Sequence, residues 1–169
     1  MNQAEKAKLL GQIEQWNDAD EFSQCIEAIE AIPEQERGYL LTLKLSRAYS
    51  NLAVLGDHRE HGTDGEVDGN LIQHAIWLLE SVRSQGEDDP YWNSRMGYSC
   101  LMAYSSAATA YAYAKRWLVL EPESADAQKL VRNCEKYLEE EKALEIDWKE
   151  REEIIRRETP DDEKGVICK

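Results

Sequence analysis

Residues 90–122 read PYWNSRMGYSCLMAYSSAATAYAYAKRWLVLEP, and this stretch decides the fold of the chain. Trp92, Met96 and Cys100 recur at four-residue spacing, which predicts an amphipathic helix with a proline in its first turn. The AATAYAYA run that follows is rich in small residues, which predicts a second helix that neighbouring helices can approach closely. Pro122 ends this helix because proline lacks the backbone N–H that a helix needs. The stretch therefore predicts a helix pair.

Working outward in both directions gives an all-α chain. Apolar residues at three- and four-residue spacing dominate, and no convincing strand alternation occurs. We predict one domain over residues 1–158, containing three helix pairs and a capping helix. Their bounds are about 4–32, 34–84, 90–121 and 124–158. A glycine-rich loop over 57–69 interrupts the second pair, and the polar segment 159–169 is predicted to be a disordered tail.

Short motifs repeat in the same order in these pairs. In the third pair Trp92 and Met96-Gly97 precede Ala110 and Leu120-Glu121-Pro122, and in the first pair Leu10-Gly11 and Pro33 keep the same frame. This pattern resembles the tetratricopeptide repeat. The runs IEAIEAIPEQER and DPYWNSRMGY are also similar to a bacterial subgroup of tetratricopeptide-like proteins. The resemblance implies a right-handed superhelix of three helix pairs plus a long C-terminal capping helix.

Charge and composition exclude several classes of function. The 169 residues include 20 basic and 34 acidic ones, for a net charge of −14, whereas nucleic-acid binding requires a basic surface. The sequence has no apolar run long enough for a membrane span and no signal-like start, so we expect a cytoplasmic protein that binds no membrane. Its four cysteines form no CxxC pair and are expected to be reduced, with Cys25, Cys100 and Cys134 filling the core.

The resemblance also implies a binding surface. In this family the first helix of each pair lines a concave groove that holds a peptide. The corresponding positions here are Lys8, Gln12, Trp16, Lys44, Arg47, Ser50, Asn51, Ser94, Arg95 and Tyr98. The lysines and arginines make this groove basic, which favours an acidic peptide or a free C-terminal carboxylate, because arginine binds carboxylates through two hydrogen bonds. The alternative is that these cations simply pair with nearby Glu or Asp side chains.

Two other interpretations compete with the groove. His58 and His61, with Asp64, lie in the glycine-rich loop and make a weak candidate for a metal site, so a metal-responsive regulator is one alternative. A second alternative is self-association, possible as a homodimer, through Leu144, Trp148 and Ile155 on the long last helix. Trp77 and Trp117 fall on helical stripes and are predicted to lie in the core.

Catalytic motifs are missing from the sequence. It contains no GxSxG, P-loop, HExxH or glycine-rich nucleotide turn. We therefore expect a non-enzymatic protein without a cofactor, acting as an adaptor that binds another protein or peptide.

Overall fold

The computed structural model describes residues 2–60, 65–103 and 107–158, without the side chains of 154, 155, 157 and 158. These described residues form eight α-helices and no strand. The helices are α1 (Gln3–Asp18), α2 (Phe22–Glu30), α3 (Glu34–Leu55), α4 (Gly69–Ser81), α5 (Arg83–Gly86), α6 (Pro90–Met102), α7 (Ala107–Leu120) and α8 (Ala125–Glu158). Successive long helices pack antiparallel. The predicted all-α architecture is confirmed, whereas the predicted tail at 159–169 lies outside the described residues.

Two apolar clusters hold these helices together. The first joins α1, α2 and one face of α3, and includes Ile13, Ile29 and Leu45. The second joins α6, α7 and the first half of α8 around Trp92 and Leu130. The helices α3 and α4 contribute to both clusters, since successive helical positions face different neighbours. The middle helices therefore couple the two ends of the domain.

Local sequence explains where the main helices begin and end. Asn2 and Glu5 form a reciprocal capping box at the start of α1. The Asp89 side chain caps α6 by accepting from the Tyr91 backbone N–H, with Pro90 in the first turn. Gly56 follows α3 with φ at 68°, a backbone conformation that glycine adopts without strain. These signals were all readable in the sequence.

The fourth helix departs from its predicted end. It stops at Ser81 rather than Ser84, and the short helix α5 follows after a break at Val82. The Trp92 indole N–H donates to the Leu79 carbonyl at 2.9 Å, so the end of α4 is held by the core of the next pair. A Cβ added at Gly86 in α5 would overlap the Trp92 ring. The tight seating of this one indole thus sets the geometry between the second and third pairs.

The predictions for two tryptophans have opposite outcomes. Trp117 is buried in the second cluster, as predicted. Trp77 is 53% exposed, so its prediction as a core residue was wrong. Its indole instead stacks on the surface against His74, with ring centroids 5.7 Å apart. The stripe of α4 is centred on Ala75 and Leu79, and Trp77 lies to one side of it.

The last helix is continuous for 34 residues, but only its first half belongs to the packed body. Ala127, Leu130 and Cys134 are fully buried, whereas every residue from 139 to 153 is exposed. In the described part of the chain, none of the helices combines the length and the apolar character that crossing a bilayer would take.

Candidate functional site

The first helices of the three pairs meet through polar side chains. The Arg47 guanidinium of α3 lies 3.0 Å from the Glu14 carboxylate of α1, and the Lys44 ammonium lies 2.5 Å from the same carboxylate. One turn further along α3, Asn51 donates to the Asn17 side chain at 3.0 Å. The structure therefore places Lys44, Arg47 and Asn51 on one side of α3, and Lys44 and Arg47 pair with a nearby glutamate as the alternative interpretation predicted.

Glu14 is the residue that sequence reasoning missed. Burial alone would raise the pKa of its carboxyl, but Lys44 and Arg47 outweigh that effect and hold the pKa below its ordinary value. Glu14 is thus ionised near neutral pH and neutralises part of the basic groove. Because Glu14 follows the apolar Ile13 in α1, the sequence could have predicted that its side chain lies near α3. The sequence does not say which of the acidic residues of α1 faces the cations.

Arg95 of α6 lies in a different electrostatic environment. Burial, reinforced by the positive charge of Arg47, lowers the pKa of its guanidinium, although the phenols of Tyr91 and Tyr98 oppose this. Its Nε–H is fully enclosed and has no hydrogen-bond acceptor among the described residues. The same holds for the Tyr91 hydroxyl, which lies one turn away on the same face of α6. Two enclosed donors without acceptors are unusual, because each costs about 1–3 kcal/mol when unpaired.

A cavity of about 260 Å³, here called the Arg95 pocket, opens beside this guanidinium. Its polar lining comes from Ser50, Asn51, Arg95, Tyr98 and Ser99, and its apolar lining comes from Val54, Leu55, Ile72 and Met102. The hydroxyls of Ser50 and Ser99 lie 3.1 Å apart and join α3 to α6 at the pocket wall. The pocket therefore combines one cation with neutral hydrogen-bonding groups and an apolar surface.

Three of the predicted groove residues lie on α1 and take no direct part in this arrangement. Lys8 is exposed and Gln12 is half-buried, and neither side chain forms a hydrogen bond or ion pair within the described residues. Trp16 is half-buried and packs on the first apolar cluster. The candidate site is thus centred on α3 and α6, with α1 contributing its carboxylate.

The glycine-rich loop offers little support for a metal site. Asp57 accepts a hydrogen bond from the Ser23 backbone N–H, and Asp20 pairs with Arg59 at 2.8 Å, so the start of the loop is attached to the turn between α1 and α2. No group of three or more His, Cys, Asp or Glu residues suited to a metal ion occurs in the described part of the chain. Two members of the predicted set, His61 and Asp64, lie outside that part. His58 is exposed, in a single 3-10 turn.

Comparison with known proteins adds no identification to this geometry. The chain matches no protein-family model, no curated protein and no solved structure.

Proposed function

We propose that this chain is a non-enzymatic adaptor of tetratricopeptide-like helix pairs, arranged as a right-handed superhelix. It binds an acidic segment or a free carboxyl terminus of another protein in the groove formed by α1, α3 and α6. The observation that carries this proposal is the pair of enclosed donors, the Arg95 Nε–H and the Tyr91 hydroxyl, which lack acceptors within the described residues. A carboxylate oxygen would satisfy both donor types, and a carboxylate also supplies the charge that a buried guanidinium needs.

The surroundings of Arg95 favour an anion over a neutral group. Arg47 and Lys44 lie on the facing helix, and their shared counter-ion Glu14 carries a single negative charge for two cations. The local excess of positive charge strengthens the attraction of an incoming carboxylate. The Lys44 ammonium also lies 5.2 Å from the centre of the Tyr91 ring, which brings a further positive charge to this part of α6.

The apolar part of the Arg95 pocket provides a second element of recognition. Val54, Leu55, Ile72 and Met102 would contact an aliphatic side chain of the ligand, whereas the carboxylate would lie at Arg95. A pocket of this size accommodates one such side chain. The preferred ligand is therefore a peptide in which an aliphatic residue is next to a carboxylate, most simply an aliphatic C-terminal residue.

Fluorescence anisotropy with short labelled peptides tests this proposal. We expect a peptide with two acidic residues and a C-terminal leucine to bind the wild-type protein, and the same peptide with an amidated C-terminus and glutamines in place of its acids to bind at least about ten-fold more weakly. The double substitution Arg47→Glu, Arg95→Glu should abolish binding of the acidic peptide. Arg116→Glu is the matched control, because Arg116 pairs with Asp88 on exposed surface away from the pocket.

Partners recovered by affinity capture provide the second arm of the test. Each partner should lose binding to the Arg47→Glu, Arg95→Glu protein while binding the Arg116→Glu protein normally. Undiminished binding of every partner and every peptide to the double variant would exclude the groove as the binding surface.

A further inference from the structure

The second half of α8 lies beyond the packed body, and every residue from 139 to 153 is exposed. From residue 139 to 158 it would extend about 30 Å beyond the packed body, at 1.5 Å per residue. Four large apolar side chains are exposed there or just before, namely Tyr137, Leu144, Ile146 and Trp148, at 50%, 68%, 59% and 66% exposure. Exposed apolar residues concentrated on one projecting helix indicate an interaction surface.

Three of these residues, Tyr137, Leu144 and Trp148, continue the stripe that anchors α8 to the body. Counted in heptads, one line runs through Ala127, Cys134, Glu141 and Trp148, and a second line runs through Leu130, Tyr137, Leu144 and Arg151. The first members of both lines are buried against α6 and α7. A seven-residue repeat of this kind keeps one seam of a helix facing a partner helix. The second half of α8, from residue 139 to 158, therefore has the pattern of a helix that pairs with another helix.

The two charged members of the seam identify the partner. Glu141 and Arg151 carry opposite charges, and each lies five residues from position 146. Leu144 and Trp148 each lie two residues from the same position. In an antiparallel pair of identical helices the two lines face each other. Glu141 of one copy then meets Arg151 of the other, and Leu144 meets Trp148. A parallel pair would instead place Glu141 against Glu141 and Arg151 against Arg151.

We infer that the second half of α8 pairs with the same segment of a second copy of this chain. The two helices run antiparallel, and the two-fold axis between them lies level with Ile146. One copy supplies both halves of each complementary layer, so the surface is self-complementary. The body of each copy limits the overlap, because the end of one helix at Glu158 comes level with Cys134 of the other, where α8 enters the body. The inference is independent of the Arg95 pocket.

Acidic residues beside the seam do not prevent this pairing. Glu145 and Asp147 flank its centre and would each approach their own counterpart in the second copy. Glu145 is paired with Lys149 at 2.6 Å, and Asp147 is paired with Arg151 at 3.0 Å, within the same helix. These intrahelical pairs reduce the repulsion between the two copies.

Charge reversal with sedimentation velocity tests both the partner and the orientation. We expect the wild-type chain to be a dimer in reversible equilibrium with monomer across the micromolar range. Glu141→Arg alone and Arg151→Glu alone should each raise the dimer dissociation constant about ten-fold or more, because each places like charges in two layers of the antiparallel seam. An equimolar mixture of the two variants should restore dimerisation, since every layer then pairs Arg with Glu.

A pair of apolar substitutions supplies the matched control. Leu144→Asp should abolish the dimer. Ile146→Asp should leave it intact, because Ile146 is similarly exposed, at 59%, but lies on the opposite side of the helix. Circular dichroism checks that both variants keep their helix content. A wild-type chain that is monomeric throughout the concentration range would overturn the inference. A dimer insensitive to Leu144→Asp, or to both single charge reversals, would overturn it equally.

Discussion

At the scale of single residues, Glu14 organises the candidate site. It is the only counter-ion to Lys44 and Arg47 within the described residues, and its removal leaves these two cations unpaired near Arg95. The depressed pKa of Glu14 means that its ionised form is favoured in the folded state. We therefore expect substitution of Glu14 to lower stability and to strengthen the proposed binding of an acidic ligand.

Glu14→Gln should lower the free energy of unfolding at about pH 7 by roughly 0.5–1 kcal/mol, a modest value because the carboxylate is partly exposed to solvent. A depressed folded-state pKa gives stability that is present above the unfolded value near 4.5 and lost as pH falls through the folded value. The two proteins should therefore converge in acid. Urea denaturation across the acidic range measures this, and a constant difference at all pH values would contradict it. The variant should also bind acidic peptides more tightly.

Gly86 tests how tightly Trp92 is seated. Gly86→Ala should destabilise the protein by about 1–3 kcal/mol, because the added Cβ overlaps the indole ring. Gly11→Ala is the control, since a Cβ at Gly11 has open space and alanine favours the helix by up to about 1 kcal/mol. Urea denaturation of both variants should give shifts of opposite sign. Equal effects would mean that the Trp92 contact does not limit this position.

At the scale of elements, the sequence predicts helices well and their environment less well. Caps, prolines and periodicity placed nearly every long helix within a few residues. The break at Val82 was missed because it depends on where Trp92 packs, which is a contact between helices. Trp77 was misassigned for a related reason. Periodicity shows which residues of a helix form its apolar stripe, but the packing of neighbouring helices decides how much of that stripe is buried. Lys44, Arg47, Arg95 and Tyr98 could be nominated from the repeat pattern, whereas Glu14 and the enclosed Tyr91 hydroxyl required the packing of three helices.

The two halves of α8 should respond differently to change. Ending the chain after Leu138 should leave the unfolding midpoint of dilute protein within about 2 °C of wild type, because every residue from 139 to 153 is exposed. Leu130→Ala should cost about 2–4 kcal/mol, because Leu130 is fully buried against α6 and α7. Thermal unfolding followed by circular dichroism compares them. A large loss of stability on truncation would show that the distal helix supports the body.

At the scale of the whole molecule, stability should decrease toward the N-terminal end. Helix α1 buries only Ile13 completely, whereas α6 buries seven residues between α3, α4, α7 and α8. In a stack of helices each element depends on its neighbours, and an end helix has fewer of them. We expect amide protons of α1 to exchange through local opening, at a lower free energy than those of α6 and α7. Native-state hydrogen exchange measures this difference.

Glu14→Gln should lower the protection of α1 and leave that of α6 and α7 unchanged, because Glu14 connects α1 to α3 through its two ion pairs. An acidic peptide bound at Arg95 should lie near Lys44 and Arg47, the cations that Glu14 neutralises. Its binding should raise the hydrogen-exchange protection of α6 above all. Equal protection of all helices in the absence of peptide would contradict the expected decrease in stability toward the N-terminal end.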